Sequence, residues 1–129
     1  MAERDYSHRT LLDKLGVRHG MRLALDGVDD DALLRDLHAR DVALVENDAD
    51  IALLGVEDRD GLGGIAAAWK RVRPGAGGAL WIVYPKGVRV VTEQDVRDAG
   101  LAAGLVDVKV VRFSDTHTAL RFVVRRAQR

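Results

Sequence analysis

Residues 79–84 read Ala-Leu-Trp-Ile-Val-Tyr, the most hydrophobic run in the chain, and they constrain the fold more than any other feature. The run is far too short to cross a membrane and presents no polar face, so it suits a central parallel strand buried on both sides. Three further strands fit beside it: residues 21–25, closed by the turn signal Asp26-Gly27, and the brief apolar stretches 42–45 and 51–56, each too apolar to have a wet face. Helical patterns separate them. Ser7 or Thr10 can cap a short helix carrying Leu11, Leu12 and Leu15, with Gly16 as a left-handed stop. Asp29, Asp30 and Asp31 open a second helix, buried through Leu33, Leu34 and Leu37 and ending near Arg40. A third begins at Asp60, places Leu62, Ile65, Ala66, Trp69 and Val72 on one side, and stops before Pro74. Thr92 to Asp95 forms a capping box, with Asp where Glu or Gln is usual, for a fourth helix that has a small-residue side of Val96, Ala99, Gly100 and Ala103 and ends at Gly104. Residues 106–113 and 118–125 alternate in polarity around Ser114-Asp115-Thr116-His117 and form an antiparallel hairpin. The alternation of helices and apolar strands predicts an α/β domain with a mainly parallel sheet of five or six strands, helices on both faces.

The chain has 129 residues, 47% of them apolar, which suits one domain over residues 1–129; no repeat or linker divides it. Glu3, Arg4, Asp5, His8 and Arg9 are incompatible with the apolar stretch of a signal peptide, so a cytoplasmic location is expected. The absence of cysteine removes disulfides, thiolate nucleophiles and cysteine metal sites. Twenty basic residues balance 20 acidic ones, giving no general attraction to nucleic acid or anionic lipid. Arg121, Arg125, Arg126 and Arg129 make a basic C-terminal end without interleaved aromatic residues, so nucleic acid is not an expected partner. His8, His19, His38 and His117 are too scattered to predict a metal site. Trp69 and Trp81 read as core anchors.

The order of elements, from ADIALL through RPGAGGALWIVYP to the closing hairpin, resembles the later part of class I methyltransferase domains. More closely, LLDKLGVRHGMRLAL, ADIALLGV, PGAGGALWIVYPKG, EQDVRDAGLAAGLVDVKV and DTHTALRFVVRR resemble a family of small bacterial proteins classified as a domain of unknown function. Both resemblances imply a Rossmann-like three-layer sandwich whose mainly parallel sheet is closed by a C-terminal antiparallel hairpin. Neither assigns an activity, and the small family usually has tryptophan where this chain has His117.

In methyltransferases a glycine-rich loop after the first strand lies against S-adenosylmethionine; here that loop reads Asp26-Gly27-Val28-Asp29-Asp30-Asp31, with one glycine and with Val28 taking up the cofactor's space. Glu46, after the second strand, stands where an acid would bind ribose hydroxyls. Gly61-Leu62-Gly63-Gly64-Ile65-Ala66 matches a dinucleotide-loop pattern, but Glu57, Asp58 and Asp60 before it repel a pyrophosphate and no acid follows at the ribose position. Lys86 should lie at the carboxyl edge of the sheet, where ligands bind in such folds, with Glu57 and Asp58 ending the next strand; the methyltransferase-like strand order further implies that Asp115, Thr116, His117 and Thr118 emerge near Tyr84 and Lys86. A lysine, a histidine and carboxylates on one rim can bind an anion or exchange protons. The expectation is therefore a non-catalytic module without a cofactor, binding a small molecule or a protein at this rim. The alternative is an S-adenosylmethionine-dependent enzyme in which Glu46 holds ribose while Lys86 and His117 position an acceptor. A third reading is a homo-oligomer, such as a homodimer, joined through the hairpin.

Overall fold

The computed structural model describes residues 10–75 and 77–124. Ser7, His8, Arg125, Arg126 and Arg129 lie outside them. The elements run α1 (Leu11–Leu15), β1 (Arg22–Asp26), α2 (Asp31–Ala39), β2 (Ala43–Leu44), β3 (Ile51–Gly55), a 3-10 helix (Arg59–Gly64), α3 (Ile65–Lys70), β4 (Ala79–Pro85), α4 (Glu93–Ala102), β5 (Leu105–Arg112) and β6 (His117–Val124). One six-stranded sheet has the order β2-β1-β3-β4-β6-β5. β1 to β4 are parallel, whereas β6 is antiparallel to both β4 and β5. The final hairpin strand thus lies beside the central apolar strand, as the methyltransferase-like order implies.

Two apolar layers sandwich the sheet. Leu12 and Leu15 of α1 and Leu33 and Leu37 of α2 pack on Leu23, Leu53, Trp81, Val83 and Ala119. On the opposite face Ile65 and Ala68 of α3 and Val96 of α4 cover Ala52, Leu54, Leu80, Ile82, Leu120 and Phe122. Trp81 and Val83 alternate with Leu80, Ile82 and Tyr84 between the two layers, which is why the 79–84 run has no polar position. Gly100 is required where α4 meets the sheet, since a Cβ there would stand 2.1 Å from the Phe122 ring. Trp81 is fully buried, while Trp69 is half-buried at the margin of the second layer. Among the described residues no helix is long and apolar enough to cross a membrane.

Four sequence expectations change. β2 is confined to two residues, both exposed, because it is the outermost strand and pairs with β1 alone; apolar composition did not give it two dry faces. The third helix starts as 3-10 structure, since Gly61, Gly63 and Gly64 weaken the α conformation, and Ala68 rather than Ala66 is buried with Ile65. Ala103 caps α4 at the surface instead of joining its packed side. β4 has a parallel neighbour on one side only. The caps at Thr10, Asp30 and Thr92 and the left-handed Gly16 (φ 78°) stand where the sequence places them.

Candidate functional site

The four parallel strands point their carboxyl ends at one rim, and the β5–β6 turn returns to it. β1 is followed by Gly27, whose positive φ of 74° turns the chain toward α2, and a Cβ on Gly55 would stand 2.2 Å from the Gly27 carbonyl oxygen. The loop after β1 therefore lies directly against the end of β3. Beyond it opens a pocket of about 330 Å³, at the low end for small-ligand sites. Val28, Val83 and Phe113 supply its apolar surface; Gly27, Asp29 and Asp30 form one wall, Gly55 and Glu57 another, and Ser114, Thr116 and His117 a third. Asp30 uses one carboxylate oxygen to cap α2 through Leu33 N at 3.0 Å.

His117 ties the hairpin turn to β3. Its Nε2 lies 2.8 Å from Glu57 Oε2 and its Nδ1 lies 2.8 Å from Thr116 Oγ1. Ser114 Oγ accepts the His117 backbone N–H at 3.1 Å, fixing the turn that presents the ring. Hydroxyl, imidazole and carboxylate form one chain along the pocket edge. With Glu57 accepting from Nε2–H, Nδ1 is an acceptor for the threonine hydroxyl. Asp29, Asp30 and Glu57 face the pocket without a lysine or arginine among its described lining, so the site favours positive charge.

Of the residues singled out from sequence for this rim, Gly27, Glu57, Thr116 and His117 meet here. Asp26 ends β1 beside the pocket without lining it. Asp58 caps the 3-10 helix, accepting from Gly61 N at 3.1 Å. Tyr84 faces the other side of the sheet, where its hydroxyl donates to Glu93 at 3.3 Å; burial, reinforced by the Glu93 charge, pushes its pKa up to about 12. Lys86 is an exposed rim residue whose backbone N–H bonds to Thr116 O at 3.0 Å, and its side chain does not line the pocket. Asp115 pairs with Arg112 across the turn. The sequence reading missed Val83, Phe113, Gly55, Asp29 and Ser114 as lining residues. The alternation of β4 and β5 could have singled out Val83 and Phe113, but not which face would stay uncovered.

Glu46 is displaced from the rim altogether. β2 reaches only the level of Leu23, whereas β1 runs on to Asp26, so β2 stops about three residues, or roughly 10 Å, short of the carboxyl edge. Glu46 instead pairs at 3.0 Å with Arg71, which follows α3 at the opposite end of the sheet. The ribose position expected for an adenosyl cofactor thus has no acid from β2, and the Gly27–Gly55 contact leaves no gap between the ends of β1 and β3. These residues do not fit S-adenosylmethionine in the manner expected from the sequence. The glycine-rich segment 61–66 forms the 3-10 helix and the start of α3, and not a phosphate loop. Among the described residues no group of three or more histidines and carboxylates is arranged to hold a metal ion.

Sheet order, closing hairpin and rim pocket define a Rossmann-like domain of methyltransferase-like topology, and comparison with solved structures agrees. The chain is similar to an O-methyltransferase family protein from Burkholderia thailandensis (18% identity, TM-score 0.51, covering 80% of this chain and 43% of that one). It is also similar to a SAM-dependent methyltransferase from Aquifex aeolicus (15% identity, TM-score 0.60, 89% of this chain and 88% of that one). A third likeness is to magnesium protoporphyrin IX methyltransferase from Synechocystis with bound SAM (8% identity, TM-score 0.57, 89% of this chain and 74% of that one). The chain spans about half the length of several such structures, between 43% and 53%. No family model matches the sequence, and no curated protein does.

Proposed function

We propose that this protein binds a small cationic molecule, an ammonium or sulfonium compound, in the rim pocket. The observation that carries this reading is the lining itself: Asp29, Asp30 and Glu57 around an apolar surface of Val28, Val83 and Phe113, with no described cationic side chain to compete. Phe113 offers a ring to a ligand cation, and carboxylates supply the matching charge.

A second reading, S-adenosylmethionine-dependent transfer, is favoured by the structural likenesses, which lend more support to a transferase than to a module without catalysis. S-Adenosylmethionine is itself a sulfonium ammonium compound, so one experiment addresses both. Calorimetric titration with S-adenosylmethionine, S-adenosylhomocysteine and a panel of simple ammonium compounds is made on the native protein and on Glu57→Gln and Glu46→Ala. Charge-led binding predicts that a cationic compound binds, that the thioether analogue, which lacks the sulfonium charge, binds at least about tenfold more weakly than its sulfonium parent, and that Glu57→Gln weakens binding while Glu46→Ala does not. Equal binding of the two adenosyl compounds, lost in Glu46→Ala, would establish the adenosine-led reading instead. If no cation binds at millimolar concentration, the proposal fails.

A further inference from the structure

At the edge opposite the rim, the α1 face of the sheet holds a second cavity, of about 370 Å³. Register explains its composition. Trp81 of β4 is opposite Arg121 of β6, and Arg121 is opposite Lys109 of β5, so the three stand side by side on one face. Trp81 Nε1 donates to the Leu15 carbonyl at 3.0 Å, anchoring the end of α1 over this row and bringing Lys14 and Arg18 to the same cavity. Leu15, Ile51 and Trp81, all buried, form its floor.

The electrostatics are one-sided. Lys14, Arg18, Lys109 and Arg121 line the cavity, and none of them has an ion pair among the described residues. The one carboxylate among the described lining residues, Asp13, accepts from Arg40 at 2.9 Å. Like charges directly opposite on neighbouring strands, as in Lys109 and Arg121, are unfavourable. In a chain whose formal charges cancel, four cations around one concavity are a local excess that an anion would relieve.

We infer that this cavity is a binding site for a small polyanion bearing two or more phosphoryl groups, seated between the Lys109–Arg121 pair and the Lys14–Arg18 segment. Four cationic side chains match the charge of a diphosphate better than that of a single orthophosphate. A long nucleic acid would need a cationic track, whereas these cations surround a bounded hollow. Inorganic pyrophosphate and a nucleoside diphosphate share the required chemistry.

Titration at low ionic strength with pyrophosphate, ADP, orthophosphate and a single-stranded oligonucleotide tests this, using the full chain and the exposed double variant Arg18→Gln/Lys109→Gln. A second variant, Lys14→Gln, guards against a folding defect in the first, and melting without ligand verifies both. Pyrophosphate should bind the native protein and lose roughly tenfold or more in affinity to the double variant. Similar binding of ADP would assign recognition to the diphosphate alone, and tighter binding of ADP would add the nucleoside; both support the site. The inference is overturned if pyrophosphate binds no better than orthophosphate at matched ionic strength, if the variants bind it as the native protein does, or if the oligonucleotide binds more tightly in proportion to its length.

Discussion

Two glycines carry more of the architecture than their number suggests, and they do so by having no side chain at a backbone crossing. Gly55 lets the loop after β1 rest on the end of β3, where an added methyl would stand 2.2 Å from the Gly27 oxygen and 2.8 Å from its carbonyl carbon. Because both obstructing atoms are backbone, relief requires moving a strand end and not a rotamer. Gly55→Ala is therefore expected to destabilise the protein by about 1–3 kcal/mol in urea unfolding and to weaken ligand binding at the rim. At this scale the sequence was only partly legible. Gly27 could be read as the end of a strand, since a turn there needs φ > 0, but the demand on Gly55 comes from a neighbour 28 positions away. The displacement of Glu46 was hidden for a similar reason: Val42, Ala43, Leu44 and Val45 show an apolar stretch and not how far along β1 it pairs.

Between elements, α4 is fastened to the sheet at its first turn. Thr92 Oγ1 accepts Asp95 N at 3.1 Å, and Asp95 accepts Thr92 N at 2.9 Å and Arg59 Nε at 3.2 Å. The Thr92 N–H, and then Arg59, hold the Asp95 carboxyl below its usual range. The box was legible because capping chemistry is local to four residues. The link from β4 to α4, Tyr84 to Glu93, was not, since it depends on which face Tyr84 takes. It gives a pH dependence of definite sign. Below pH 10 the phenol is protonated in folded and unfolded chains alike; between about 10 and 12 the unfolded chain releases its proton first, so folding stability falls as pH rises, and the contribution is lost above the folded value of about 12. Tyr84→Phe should remove this part of the decline, seen as a smaller loss of stability between pH 10 and 12 than in the native protein under parallel denaturant titrations.

For the whole molecule, the layered α/β arrangement follows from how apolar residues are distributed: a run dry on both faces in the centre, alternating strands at the C-terminal side and helical patterns between. The placement of the hairpin beside β4 brought His117 to Glu57, which the resemblance to the methyltransferase strand order implies and the residues alone do not. The pocket itself could not be anticipated, because an uncovered patch depends on where α2 and the β5–β6 turn stop. Assembly is also a question at this scale. β5 is one edge of the sheet, and it carries Lys109 and a register shift between Asp107 and Lys109, both of which discourage pairing with a second sheet. Sedimentation velocity should accordingly find a monomer at micromolar concentration; a stable dimer lost on truncating the hairpin would contradict this and support assembly through that edge.

Trp81 precedes Val83 by two positions on the same side of β4, so its indole borders the lower cavity while the next residue on that face borders the upper one. The other tryptophan, Trp69, belongs to the opposite layer. With Trp69 replaced by phenylalanine, Trp81 would be the one tryptophan left, shielded from solvent and bordering the lower chamber, and its selectively excited emission can record the filling of that chamber without any attached dye.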